Sequence, residues 1–94
     1  MKIVWTKEAV HRLEEIEEYI AKDRPMAAEA LIDDIIARVE SLSDAPHKGR
    51  MVPELSHPNI REVIYKNYRI VYIVRRKSLN VITIFEGHKL LKLP

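Results

Sequence analysis

The chain has 94 residues, 47% of them apolar and 32% charged, with a formal net charge of +2, two glycines and no cysteine. That is enough apolar material for one modest core in one domain, 1–94, and too much for a disordered chain. The composition excludes disulfides and thiolate chemistry, no apolar run approaches the roughly 18 residues of a membrane span, and no basic-then-apolar leader opens the sequence, so a soluble cytoplasmic protein is expected.

The charge is divided unevenly. Residues 1–46 hold six Lys/Arg and eleven Asp/Glu, a balance of −5. Residues 47–94 hold ten and three, a balance of +7. An acidic face and a basic face follow, unless helices here simply collect Glu and strands collect Arg.

In chain order, Lys2 to Trp5 predicts a short strand, because Ile3, Val4 and Trp5 are β-branched or aromatic. Thr6 is placed as an N-cap, with Trp5 and Val10 spaced for a hydrophobic staple. Ala9, Leu13, Ile16 and Ile20 then lie on one helical face over about 7–22, with glutamates on the other sides. Asp23-Arg24-Pro25 breaks this helix and starts a second, since proline suits the first helical turn. Ala28, Leu31, Ile32, Ile35, Val39 and Leu42 carry the second helix to about Leu42. So short a connection makes an antiparallel helix hairpin.

Residues 43–49 read as a loop, Arg50 to Val52 as a short strand stopped by Pro53, and residues 56–59 as another loop. Ile60–Tyr65, Tyr68–Arg75 and Val81–Glu86 are strands that pair antiparallel through their closeness in sequence. The predicted fold is α+β: an N-terminal strand and an antiparallel helix hairpin packed on a twisted antiparallel sheet, in the order β-α-α-β-β-β.

Lys66-Asn67 as a two-residue turn would pair Tyr65 with Tyr68 and Val63 with Ile70. Arg61, Val63, Tyr65, Tyr68, Ile70, Tyr72 and Val74 then share the core face. Ile60, Glu62, Ile64, Arg69, Val71, Ile73 and Arg75 share the other. That second face is too apolar for water and too charged for a core, which predicts a docking surface centred on Arg69. In the alternative reading Arg69 simply pairs with Glu62 on its own face.

Chemistry is sparse. His11, His47, His57 and His88 form no metal-ligand spacing, so neither metal nor cofactor is expected. There is no Gly-x-Ser-x-Gly elbow, and Gly49 and Gly87 stand too far apart for a phosphate loop. Acid–base cleavage of RNA needs only a phosphate clamp, a base and an acid, for which Arg69, Lys89 and His88 are the candidates, with Arg61 as a second cation.

The whole chain resembles the RelE/ParE superfamily of toxins from type II toxin–antitoxin modules. The resemblance lies in the order and spacing of the N-terminal strand, the helix hairpin, Lys48-Gly49-Arg50-Met51-Val52-Pro53-Glu54-Leu55, Ile60-Arg61-Glu62-Val63, Asn67-Tyr68-Arg69-Ile70-Val71-Tyr72 and Phe85-Glu86-Gly87-His88-Lys89-Leu90-Leu91. It implies a cognate antitoxin that wraps the toxin in a hetero-oligomer. The ribosome-dependent mRNA-cleaving branch carries two lysines, two apart, before its Tyr-Arg motif. Those positions hold Ile60 and Glu62 here, or Arg61 and Val63 with one gap. The helix-hairpin length and the Gly-Arg-x-Val-Pro-Glu-Leu loop are similar to the ParE branch, which implies DNA gyrase as target. Arg61, Glu62, Ile64, Arg69, Val71, Ile73, Arg75 and Lys89 are then contact residues for target or antitoxin. Arg69, His88 and Lys89 are catalytic only if the chain is a ribonuclease acting on ribosome-bound mRNA. An inactive antitoxin-binding member is the third reading.

Overall fold

The structure is a computed structural model and describes residues 1–87. Strand β1 (Lys2–Trp5) leads into helices α1 (Lys7–Ala21) and α2 (Pro25–Glu40). Two short 3₁₀ turns, Ser41–Asp44 and Pro46–Lys48, connect to β2 (Arg50–Met51), β3 (Ile60–Tyr65), β4 (Tyr68–Val74) and β5 (Ser78–Glu86). These strands form one sheet in the order β1-β5-β4-β3-β2. It is antiparallel except at one edge, where β1 runs parallel to β5 and pairs Ile3 with Leu79 and Trp5 with Val81. The helix hairpin between β1 and the other strands lets the first strand return to the last one, a crossover that parallel pairing requires.

The helices cover one face of the sheet. Ala9, Leu31, Ile35, Val39 and Leu42 pack on Ile70, Tyr72, Val74, Leu79, Val81 and Ile84, with Leu13, Ile16 and Ile20 partly buried beside them. The helical spacing of those residues therefore faces the core as expected, and the 3₁₀ turn after Glu40 carries Leu42 into it. Val10 is exposed at 40%, so the anticipated staple with Trp5 does not enclose it.

Thr6 joins the two layers. Its Oγ1 accepts the Ala9 N–H at 3.1 Å, which caps α1, and donates toward the carbonyls of Val81 at 2.8 Å and Ile82 at 3.0 Å. Those carbonyls lie at a register shift, since Val71 opposes Thr83 while Tyr72 opposes Val81. The extra residue, Ile82, resets the alternation so that Leu79, Val81 and Ile84 all face the helices.

The β3–β4 hairpin has the predicted register, with Tyr65 opposite Tyr68 and Val63 opposite Ile70. Lys66 takes a φ of 54° at the first turn position, where turns compatible with strand twist need a positive φ. A side chain is strained there. Lys66→Gly is therefore expected to raise stability by about 0.5–1 kcal/mol in urea denaturation, with little change in the slope of the transition.

Candidate functional site

The face turned away from the helices is built around a chain of four charges. Glu62 stands on β3 opposite Val71, and Arg69 stands on β4 opposite Ile64, so the two are diagonal neighbours on the same face. Arg69 Nε donates to Glu62 Oε1 at 2.7 Å. Arg50, on β2 opposite Glu62, donates through Nε to Glu62 Oε2 at 2.6 Å. The other end of the Arg69 guanidinium forks onto Glu54, Nη1 to Oε2 at 2.8 Å and Nη2 to Oε1 at 2.7 Å. Its Cζ lies 4.9 Å from the centre of the Phe85 ring.

Glu54 comes from the segment between β2 and β3. Pro53 ends pairing there, and the N–H groups of Leu55 and Ser56 donate to the Val52 carbonyl at 3.1 and 2.9 Å. This turn, with Ser56 at a φ of 51°, points Glu54 back at the sheet. The Glu62 side chain is fully buried and that of Arg69 only 7% exposed, whereas Arg50 is 55% exposed. Glu54 first, then Glu62, hold the Arg69 guanidinium protonated above the ordinary arginine range, and burial works the other way. Bidentate carboxylate pairing is the strongest neutralisation a guanidinium can receive from side chains.

The expectation of a displayed Arg69 is corrected by this geometry. The cation is tucked into the protein, and two carboxylates already occupy the directions in which it would grip a phosphate. Val71 is likewise fully buried, and Glu62 is 1% exposed, so neither is a contact surface. Ile73 is half-buried. Ile64 is 48% exposed and Arg75 lies exposed just past the end of β4, as a contact role would need. Arg61 sits on the helix-covered side at the sheet edge, donating to the carbonyls of Pro58 at 2.8 Å and Gly49 at 3.2 Å. His88 and Lys89 lie outside the described residues. Among the described residues, no three His, Asp or Glu side chains come together as metal ligands, and no helix is long and apolar enough to cross a membrane.

Three residues that the sequence marked only as part of the Gly-Arg-x-Val-Pro-Glu-Leu loop, with no role of their own, help to hold this region together. Arg50 and Glu54 close the charge chain. Gly49 lies against the core: its N–H donates to the Tyr72 hydroxyl at 3.0 Å, and that hydroxyl donates to the Pro46 carbonyl at 2.7 Å. The diagonal Glu62–Arg69 pair was readable from the hairpin register. Nothing in the periodicity marked Glu54, because its position depends on an irregular turn.

Residues 3–90 match the family model described as ParE toxin of type II toxin-antitoxin system, parDE. A toxin candidate of Sinorhizobium fredii (strain NBRC 101917 / NGR234), Y4kP, is 33% identical over 90 residues, covering 94% of this chain and 90% of that protein. Among solved structures, the chromosomal ParDE TA system from P. aeruginosa superposes with a TM-score of 0.77 at 21% identity, covering 92% of this chain and 95% of the other.

Proposed function

Because the chain belongs to the ParE toxin family of type II toxin–antitoxin systems, we propose that it arrests growth by poisoning DNA gyrase in the cytoplasm and is held inactive in a hetero-oligomer with its cognate antitoxin. The observation that carries the choice of target is the engagement of Arg69 by Glu62 and Glu54. A ribonuclease of this fold would need that cation at the scissile phosphate, where it must stabilise charge that develops only in the transition state. Here the guanidinium is already matched by two carboxylates, and a phosphate would have to displace Glu54 to reach it. The cationic excess of the second half of the chain then serves association, not catalysis.

The test is direct. Purified protein added to gyrase and relaxed plasmid is expected to block supercoiling or to trap cleaved DNA, with mRNA in a translation extract left intact. Gyrase unaffected at a large molar excess, with message cut on the ribosome, would replace this reading with the ribonuclease one. Neither effect, with an antitoxin still bound, would leave an antitoxin-binding member without a target.

A further inference from the structure

The end of the sheet where β4 turns into β5 is rich in cations. From Val63 to Phe85 the chain contains no Asp or Glu. Arg75, Arg76 and Lys77 follow one another at the turn, and all three are exposed. The Arg75 N–H donates to the Ser78 carbonyl at 2.8 Å, which ties the turn to the strand ends. Lys2 joins them from the neighbouring strand. It is exposed, it pairs with Ser78, and its N–H donates to the Lys77 carbonyl at 3.3 Å. Among the described residues none of these four side chains makes an ion pair.

The other flank adds donors and a further charge. The Asn59 carbonyl accepts the Val74 N–H at 2.8 Å, which brings residues 57–59 beside the turn. His57 accepts the Asn59 N–H through Nδ1 at 3.1 Å, so the neutral ring carries its proton on Nε2. The Arg61 guanidinium is bonded to the carbonyls of Pro58 and Gly49, which satisfy its N–H groups without cancelling its charge. These groups come from the ends of β1, β5, β4 and β3, which are successive neighbours in the sheet. Strand spacing spreads them over about 14 Å, long enough to meet several charges of a duplex that carries one per about 1.7 Å. Val74 and Leu79, which flank the turn, are buried in the core. The turn itself thus presents charge and hydrogen-bond donors with no apolar anchor. Protein partners are gripped chiefly through buried aromatic and aliphatic anchors, whereas sequence-independent binding of nucleic acid runs on phosphate neutralisation.

We infer that this end of the sheet binds DNA: the backbone phosphates of a duplex lie along Lys2, Arg75, Arg76 and Lys77, with Arg61 supplying positive potential behind them. Contacts of this kind position a protein on the duplex and carry no sequence preference. The inference goes beyond the gyrase reading, because the contact requires no enzyme. Where gyrase is the target, it gives the toxin its own hold on the DNA that the enzyme works on.

The probe is a labelled duplex of 20 base pairs and arbitrary sequence, titrated with the full chain and followed by fluorescence anisotropy, beginning at about 50 mM salt. Saturable binding is expected, with a slope of log affinity against log salt of about −3.6, for four phosphates at about 0.9 each. Joint replacement Arg75→Gln, Arg76→Gln and Lys77→Gln is expected to weaken binding at least about tenfold at that salt and to reduce the slope by about 2.7. The control, Lys22→Gln with Arg24→Gln and Lys66→Gln, removes the same charge at the opposite end, where Glu15 and Glu86 line a cleft between α1 and β5. The length of β5 separates the two ends by about 25 Å, beyond the screening length, so the control should bind within about threefold of the parent. All six side chains are exposed, and unchanged melting temperatures would confirm that both variants fold. No saturable binding at low salt, a salt slope near zero, indifference to the triple replacement at the turn, or an equal loss in the control would each overturn the inference. Competition by polyglutamate as strong as by unlabelled duplex of equal charge would also overturn it, in favour of an acidic protein partner. Gyrase inhibition is measured on the same proteins. DNA binding without inhibition would leave this surface standing and remove the target reading, and inhibition without DNA binding would do the reverse.

Discussion

Glu62→Gln is expected to lower folding stability by about 3–5 kcal/mol, a large share of the 5–15 kcal/mol typical of small domains. The glutamine keeps the shape of the side chain and removes its charge. The two arginines that Glu62 joins are unequal. Arg50 is 55% exposed and can turn to water; the Arg69 side chain, at 7%, cannot. The substitution therefore takes from a buried guanidinium one of its two described carboxylates and leaves Glu54 as the other. The contrast lies at the exposed end of the chain: Arg50→Gln should cost about 1 kcal/mol or less, because a solvated partner contributes little. Replacing the pair together, Glu62→Leu with Arg69→Met, should recover most of the loss, since well-packed apolar residues substitute for buried ion pairs. Urea denaturation of the four proteins checks all three statements. A Glu62→Gln loss below 1 kcal/mol would mean that the charge chain is incidental to the fold. Under the proposed reading, gyrase inhibition by the apolar pair, measured where it is folded, is expected to persist, because Glu62 and Glu54 already engage Arg69.

That pair also marks the boundary of what the sequence could say. The hairpin register was legible, because a two-residue turn and period-two alternation leave little freedom, and it placed Glu62 and Arg69 on one face. The helix faces were legible for the same reason, from Ala9, Leu13, Ile16 and Ile20 and from the run ending at Leu42. What escaped depends on irregular backbone. Glu54 reaches Arg69 only because the chain curls after Pro53. Ile84 faces inward only because Ile82 is an extra residue. β1 lies parallel to β5 because the helix hairpin carries the chain back across the sheet, and local pattern carries no information on that return. The charged strand was therefore read as a surface when its own neighbours had neutralised it.

Gly49→Ala is the second large effect, expected to cost about 3–5 kcal/mol although only one methyl group is added. Backbone conformation is not the reason. Gly49 has φ −67° and ψ 155°, which any residue adopts. The reason is space: a Cβ there would stand 2.5 Å from the Tyr72 hydroxyl and 2.7 Å from the Glu62 carbonyl oxygen. The carbonyl belongs to β3 and cannot swing aside. Tyr72 is fully buried and its hydroxyl is held between the Gly49 N–H and the Pro46 carbonyl. Relief requires the 46–49 segment to lift from the sheet, which breaks both hydrogen bonds inside the core. Overpacking of this kind costs about 1–3 kcal/mol, and each buried polar group left without a partner adds about 1–3 kcal/mol. For a domain of this size the loss appears as a fall in melting temperature of about 15 °C or more. Tyr72→Phe separates the two contributions. It removes the hydroxyl without adding atoms and should cost only the hydrogen-bond part, about 1–3 kcal/mol. In the double variant the alanine loses its nearest obstacle but still meets the Glu62 carbonyl, so the two losses should sum to less than their separate values without cancelling. A melting temperature for Gly49→Ala within two or three degrees of the parent would show that the 46–49 segment is free to move and that its contact with Tyr72 does not hold it to the sheet.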